Sequence, residues 1–190
     1  HIKAAGRLAY RQVDSAEKLA NCVTHLNALD PRPDIVLLTG DLVDLGRAEE
    51  YALLREILAP LAMPLYVVPG NHDERGAMRR AFADHAYLPQ AGEFLQYVLE
   101  DYPVRLIGLD TVVAGEPRGE LCEARLGWLD AQLRRAPDRE TVIFMHHPPF
   151  LTGLSNMDWQ NCHNGEALGA LLERHGQVTR LLCGHVHRPI

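Results

Sequence analysis

Four short apolar runs in this chain each break off at a residue that can bind a metal, and this pattern restricts the fold more than any other feature. Ile35-Val36-Leu37-Leu38 leads through Thr39-Gly40 to Asp41, and Leu65-Tyr66-Val67-Val68 leads through Pro69-Gly70 to Asn71. Thr141 to Met145 runs into His146, and Val178 to Cys183 runs into Gly184-His185. Short runs closed by turn residues read as buried strands. Helical patterns lie between them. Ser15 reads as an N-cap, with Leu19, Cys22, Val23, Leu26 and Leu29 following at helical spacing until Pro31 and Pro33. Further helices are expected over 46–62, 77–85, 123–135 and 165–175, and two more strands over 94–99 and 104–110. Strands alternating with helices predict a layered α/β fold, and without a repeat or a linker the economical reading is one domain over 1–190. In such sheets, sites form outside the carboxyl ends of strands, so the four polar ends are expected to share one crevice.

Composition narrows the class. With 47% hydrophobic and 23% charged residues, whole-chain disorder, collagen and coiled coil are excluded. No apolar run approaches the ~18 residues of a membrane helix, and residues 1–20 lack the apolar core of a secretory leader. The chain opens on His1 and not on Met. A net charge of −6 argues against binding a nucleic-acid polymer, which favours a basic face. Cys22, Cys122, Cys162 and Cys183 form no CxxC pair and read as reduced, mostly buried thiols of a cytoplasmic protein.

Half of the ten histidines fall in three clusters: Asn71-His72-Asp73, His146-His147 and His185-Val186-His187. Each polar residue has a plainer reading too. Asp41 and Asn71 suit turns after glycine, and His146-His147 suits a strand end before Pro148-Pro149. Gly184-His185-Val186-His187 is harder to explain structurally, because side chains at i and i+2 of an extended segment share a face.

Together, Gly40-Asp41, Gly70-Asn71-His72-Asp73, His146 and Gly184-His185-Val186-His187 resemble the calcineurin-like metallophosphoesterases. The signature of that family is Asp-x-His, Gly-Asp, Gly-Asn-His-Asp/Glu, His, and Gly-His-x-His. Asp41-x-x-Asp44, His146-His147-Pro148-Pro149, and Asn156-Met157-Asp158 with Asn164-Gly165 look like its bacterial glycerophosphodiesterase and class III cyclic-nucleotide phosphodiesterase branch. Two departures stand out. The opening Asp is absent, with His1 as the expected survivor of Asp-x-His, and the chain stops just after the last motif. A fragment is therefore expected, lacking an N-terminal strand and a C-terminal portion through which the branch could form a homo-oligomer.

The resemblance implies an αββα sandwich with mixed sheets between helices, and hydrolysis of small phosphodiesters such as glycerophosphodiesters or 3',5'-cyclic nucleotides. A phosphodiester is an anion that resists attack by another anion. A pair of ions about 3.5–4 Å apart neutralises it and acidifies a water, and that spacing calls for a bridging carboxylate. Carried over, Asp41 is the bridge. Asn71, His146 and His185 complete one site; His1 and His187 belong to the other. Such donors suit two ions of Fe, Mn, Zn or Co. The same resemblance makes His72 the group that binds the phosphate or protonates the leaving alkoxide, with Asp44 as its orienting partner. Asp73 is expected as a helix N-cap, and His147 as either a support behind a ligand or a structural residue. The segment Asn156 to Trp159 is expected to contact the ester's alcohol. Phosphomonoester hydrolysis and a non-catalytic scaffold on the same fold are the alternatives.

Overall fold

The protein is described by a computed structural model over residues 1–9 and 11–187. A four-stranded sheet runs in the order β3 (Tyr97–Leu99), β4 (Arg105–Gly108), β6 (Thr141–Met145) and β8 (Val178–Cys183). β3 is antiparallel to β4, whereas β4, β6 and β8 run parallel, with Ile107 opposite Ile143 and Phe144 opposite Leu182. A second, parallel pair joins β1 (Val36–Leu38) to β2 (Leu65–Val67).

The period of two along the strands sorts side chains onto two cores. Leu106, Val142 and Phe144 face one way and meet Leu37, Leu38 and Val67 of the small sheet. That core is covered by α1 (Ser15–Ala28), α2 (Ala48–Leu58) and α3 (Arg75–Ala81), through Val23, Tyr51, Leu54 and Met78. Ile107, Ile143 and Met145 face the other way, onto Leu129 and Leu133 of α4 (Glu123–Arg134) and Leu168 and Leu171 of α6 (Gly165–Leu172). The result is helix, sheet, sheet, helix, as the sequence led one to expect. Each fully buried Leu, Ile or Phe stabilises this stack by about 1.5–3 kcal/mol relative to exposure.

Some local expectations are corrected. The N-cap of α1 is Asp14, whose carboxylate accepts from Glu17 N at 3.0 Å; Ser15 is already helical. The cap of α3 is Glu74, which accepts from Gly76 N and Ala77 N, and not Asp73. A two-stranded parallel pair, β5 (Gly119–Glu120) and β7 (Cys162–His163), and a one-turn helix α5 (Ser155–Asp158) were not expected.

Candidate metal centre

The carboxyl ends of β1, β2, β6 and β8 meet as expected. Val68 N donates to Leu38 O at 3.1 Å, carrying the pairing of β1 and β2 to the turns at Gly40 and Gly70. Gly184 N donates to His146 O at 2.9 Å, doing the same for β6 and β8. The N-terminal segment reaches this crevice along a separate path. Ile2 N donates to Leu42 O at 2.9 Å and Asp44 N to Ile2 O at 3.0 Å, a single parallel bridge that sets His1 beside Asp41. Asp41, His185 and His187 all hold positive φ (55°, 68° and 56°), and such strained backbone clusters at functional sites. Gly70 is required here, since a Cβ on it would collide with the Asp41 amide and carboxylate.

One imidazole fixes the chemistry of the cluster. His146 Nδ1 lies 2.6 Å from Thr39 O, an acceptor, so it carries the ring's proton. Nε2 is left as a lone pair. It faces Asn71 Oδ1 at 3.2 Å, Asp41 Oδ1 at 3.3 Å and His185 Nδ1 at 3.2 Å. The two oxygens are acceptors as well. His185 Nδ1 can donate only by leaving its own buried Nε2 a lone pair, and that atom has no partner. Converging lone pairs without protons between them need a cation, so the donor set fits a metal ion.

The other oxygen of Asp41 faces a second group. Oδ2 lies 3.0 Å from His1 Nε2, a buried nitrogen that makes no hydrogen bond. The His1 ring stands 4.1 Å from His72 and 5.3 Å from His187, centroid to centroid. Burial would raise the Asp41 carboxyl, but the His1 ring beside it and the His72 backbone N–H hold it below the usual carboxylate range. The contact with Asp41 raises His1 more than burial lowers it. Burial pushes His185 down to about 4 and His187 downward as well, keeping both neutral.

The structure brings His1, Asp41, Asn71, His72, His146, His185 and His187 into one cluster, and treats Asp44 differently. His72 Nδ1 lies 2.7 Å from the backbone carbonyl of Asp44, while the Asp44 carboxylate pairs with Lys3 at 2.5 Å. Asp44 therefore orients His72 through its main chain. His147 is fully buried, with Nδ1 2.7 Å from Thr111 Oγ1 and its ring 4.8 Å from that of His185. Burial pushes it down to about 2, which keeps it neutral, and its Nε2 lies without a partner in reach of the ligand atoms of His146 and His185.

Sequence reasoning missed what Asp73 does. It is buried, and its Oδ2 accepts from Gly70 N at 2.9 Å and Leu42 N at 3.1 Å. Tyr51 donates to its Oδ1 at 2.8 Å. One side chain thus ties the Asp41 turn to the Asn71 turn. The signal was present in Gly-Asn-His-Asp, but burial is not visible in a string. The segment 156–159, expected to contact the ester's alcohol, lines neither cavity at the cluster. One cavity of about 350 Å³ is lined by His1, Asp41, His146, His185 and His187 among others, and a neighbouring one of about 360 Å³ by His1, Lys3, Asp44, His72 and His187 among others.

A family model described as calcineurin-like phosphoesterase matches residues 2–189. This chain belongs to the calcineurin-like phosphoesterase family. Within that family it is 46% identical over 189 residues to a probable glycerophosphodiester phosphodiesterase of Arcobacter nitrofigilis, covering 99% of this chain and 69% of the relative. It is 35% identical over 157 residues to a 3',5'-cyclic adenosine monophosphate phosphodiesterase of Escherichia coli K12, covering 83% of this chain and 55% of that protein. A dimetal phosphatase from Danio rerio shares the fold, with a TM-score of 0.70 at 19% identity over 91% of this chain and 72% of that one. For a calcineurin-like phosphoesterase, the two lone-pair clusters on either side of Asp41 are the feature to explain.

Proposed function

We propose that this chain is a dinuclear metal-dependent phosphodiesterase acting on small phosphodiesters. The observation that carries the proposal is the division of Asp41, with one oxygen toward His146 at 3.3 Å and the other toward His1 at 3.0 Å. A carboxylate shared between two imidazole groups is what a bridge requires. Asn71, His146 and His185 would hold one ion with Asp41; His1 and His187 would hold the other. Imidazole, carboxylate and amide donors suit Fe, Mn, Zn or Co. Cys183 lines the same cavity, but burial pushes its thiol up to about 12, so it does not compete as a thiolate. When bound, such ions neutralise phosphoryl charge and acidify water.

The remaining work belongs to the chain. With His72 Nδ1 committed to the Asp44 carbonyl, Nε2 is the nitrogen available to the ester. Protonated, it gives a proton to the departing alcohol oxygen; neutral, it orients that oxygen's hydroxyl afterwards. His147 and the strand ends keep bulk water from the far side of the cluster. The four cysteines are free, which suits a reducing compartment, and we take this to be the cytoplasm. No helix among the described residues is long and apolar enough to cross a membrane.

The similarity to relatives named as phosphodiesterases favours diesters over monoesters. The test is kcat/KM, after metal reconstitution, for glycerophosphoethanolamine, cyclic AMP and an aryl phosphate monoester. A diester should lead. A monoester ahead by tenfold, about 1.4 kcal/mol, would overturn the reading.

A further inference from the structure

His147 has chemistry that excluding water does not use. Its side chain is 0% exposed, and Nε2 has no hydrogen-bond partner. The Pro117 carbonyl adjoins the ring but is not bonded to that nitrogen. Nδ1 lies 2.7 Å from Oγ1 of the fully buried Thr111, and a Cβ on Gly119 of β5 would collide with the ring's Cγ and Nδ1. The ring is thus held at one edge, with Nε2 as its free end. With the proton on Nδ1, donated to Thr111, Nε2 is a lone pair; with the proton on Nε2, it is a buried donor with nothing to receive it. One nitrogen from each of His146, His147 and His185 lies within 4.8 Å of the others, and all three residues are buried. His146 Nε2 and His185 Nδ1 stand 3.2 Å apart. Zinc–nitrogen bonds of about 2.0–2.1 Å place the ligands of a tetrahedral ion about 3.4 Å apart, so that pair already has the spacing of a shared ion.

We propose that His146, His147 and His185 form a three-imidazole position for a zinc ion, deeper in the fold than the ligand set completed by Asp41 and Asn71. This position goes beyond the dinuclear reading, which leaves His147 unused, and it depends on no reaction. The two positions differ in donor chemistry. Three neutral imidazoles suit borderline-soft zinc, whereas carboxylate and amide oxygens are the donors that manganese favours. The fourth ligand of a tetrahedral ion would be water or Asp41 Oδ1, which lies 3.3 Å from His146 Nε2. His146 and His185 serve both positions, so one ion occupies them at a time, and sharing zinc with His147 takes them from an ion beside Asn71. His147 is thereby the residue that favours zinc over manganese at the first site.

The test is binding of the first equivalent of zinc to the metal-free protein, in competition with a chromophoric chelator, with manganese binding followed by calorimetry. His147→Gln should weaken zinc at least about tenfold and manganese by no more than about twofold. The ratio of the two affinities is internal to each protein, so a general loss of folding does not imitate its change. Zinc X-ray absorption adds a count of ligands. Asp41→Asn carrying one zinc ion should show three imidazoles, and the same protein with His147→Gln added should show two. An unchanged zinc affinity in His147→Gln, an equal fall for both metals, or two imidazoles per zinc in Asp41→Asn would each overturn the proposal. None of these readouts uses turnover, so diester hydrolysis by the manganese-loaded wild type tests the phosphodiesterase reading separately.

Discussion

Asp41 and His72 differ in what their loss should do. Asp41→Asn removes one negative charge and one strong oxygen donor while keeping the shape of the side chain. The expected outcome is one metal ion per chain instead of two and at least ~100-fold lower turnover, from lost charge stabilisation. Metal analysis and kcat measure both; two retained ions with normal turnover would contradict the bridge. His72→Ala should leave the metal content intact, because its Nδ1 is committed to the Asp44 carbonyl and neither proposed ion takes His72 as a ligand. Its deficit should shrink for a nitrophenyl ester, whose leaving group needs no proton. An equal deficit for alkyl and aryl esters would make His72 a phosphate binder and not the proton donor.

At the level of elements, the site depends on how closely two turns approach. A Cβ at Gly70 would strike the Asp41 amide and carboxylate, and neither is the free end of a flexible side chain. Gly70→Ala should therefore destabilise the metal-free fold by about 1–3 kcal/mol and weaken metal binding together. Gly127 lies inside α4 with nothing near its missing Cβ, so Gly127→Ala should stabilise by about 0.5–1 kcal/mol with metal binding unchanged. Urea unfolding of the two variants checks the contrast; similar effects in both would show that the approach of the turns is not tight. The elements themselves were unevenly legible. β6 and β8 begin and end where their runs do, because His146 and Gly184 close them abruptly. β5 and β7 have two residues each and no periodicity to detect; they exist because Gly119 finds Cys162 some forty residues away. The ligand-type residues stood out because they follow strands. The Asp73 bonds to Gly70 and Leu42 did not, because a buried carboxylate and a capping one are spelled alike.

For the whole molecule, acid should weaken the metal-free protein well above the range where carboxylates titrate. An imidazole in an unfolded chain titrates near 6.5. Burial pushes His147 down to about 2 and His185 to about 4. Between those values the unfolded chain takes up protons that the fold refuses, so stability falls as the pH drops below about 6.5. The contribution of His185 to that fall ends near pH 4, and that of His147 continues to about pH 2. By pH 4.5 each ring contributes a loss of up to about 3 kcal/mol, a large share of a typical domain's stability. Two groups act in the opposite sense. The stability that His1 gains from Asp41 is present in acid and is lost as pH rises through its raised folded value. Asp73, raised chiefly by burial, costs stability at neutral pH and is relieved in acid. Asp41 adds a second loss below about pH 4, where the unfolded carboxylate begins to protonate first. The depressed rings, His187 and His85 adding to His147 and His185 in the same sense, outweigh the single raised one between pH 6.5 and 4.5, so the metal-free urea midpoint should fall steadily over that interval. Metal ions need the same nitrogens deprotonated, so the loaded protein should hold its midpoint to lower pH and then lose metal and stability together. His147→Gln, which cannot be protonated, should flatten the metal-free profile while the His185 contribution persists. A flat or rising midpoint between pH 6.5 and 4.5 in the wild type would mean that these rings accept protons in place, and that burial does not hold them neutral.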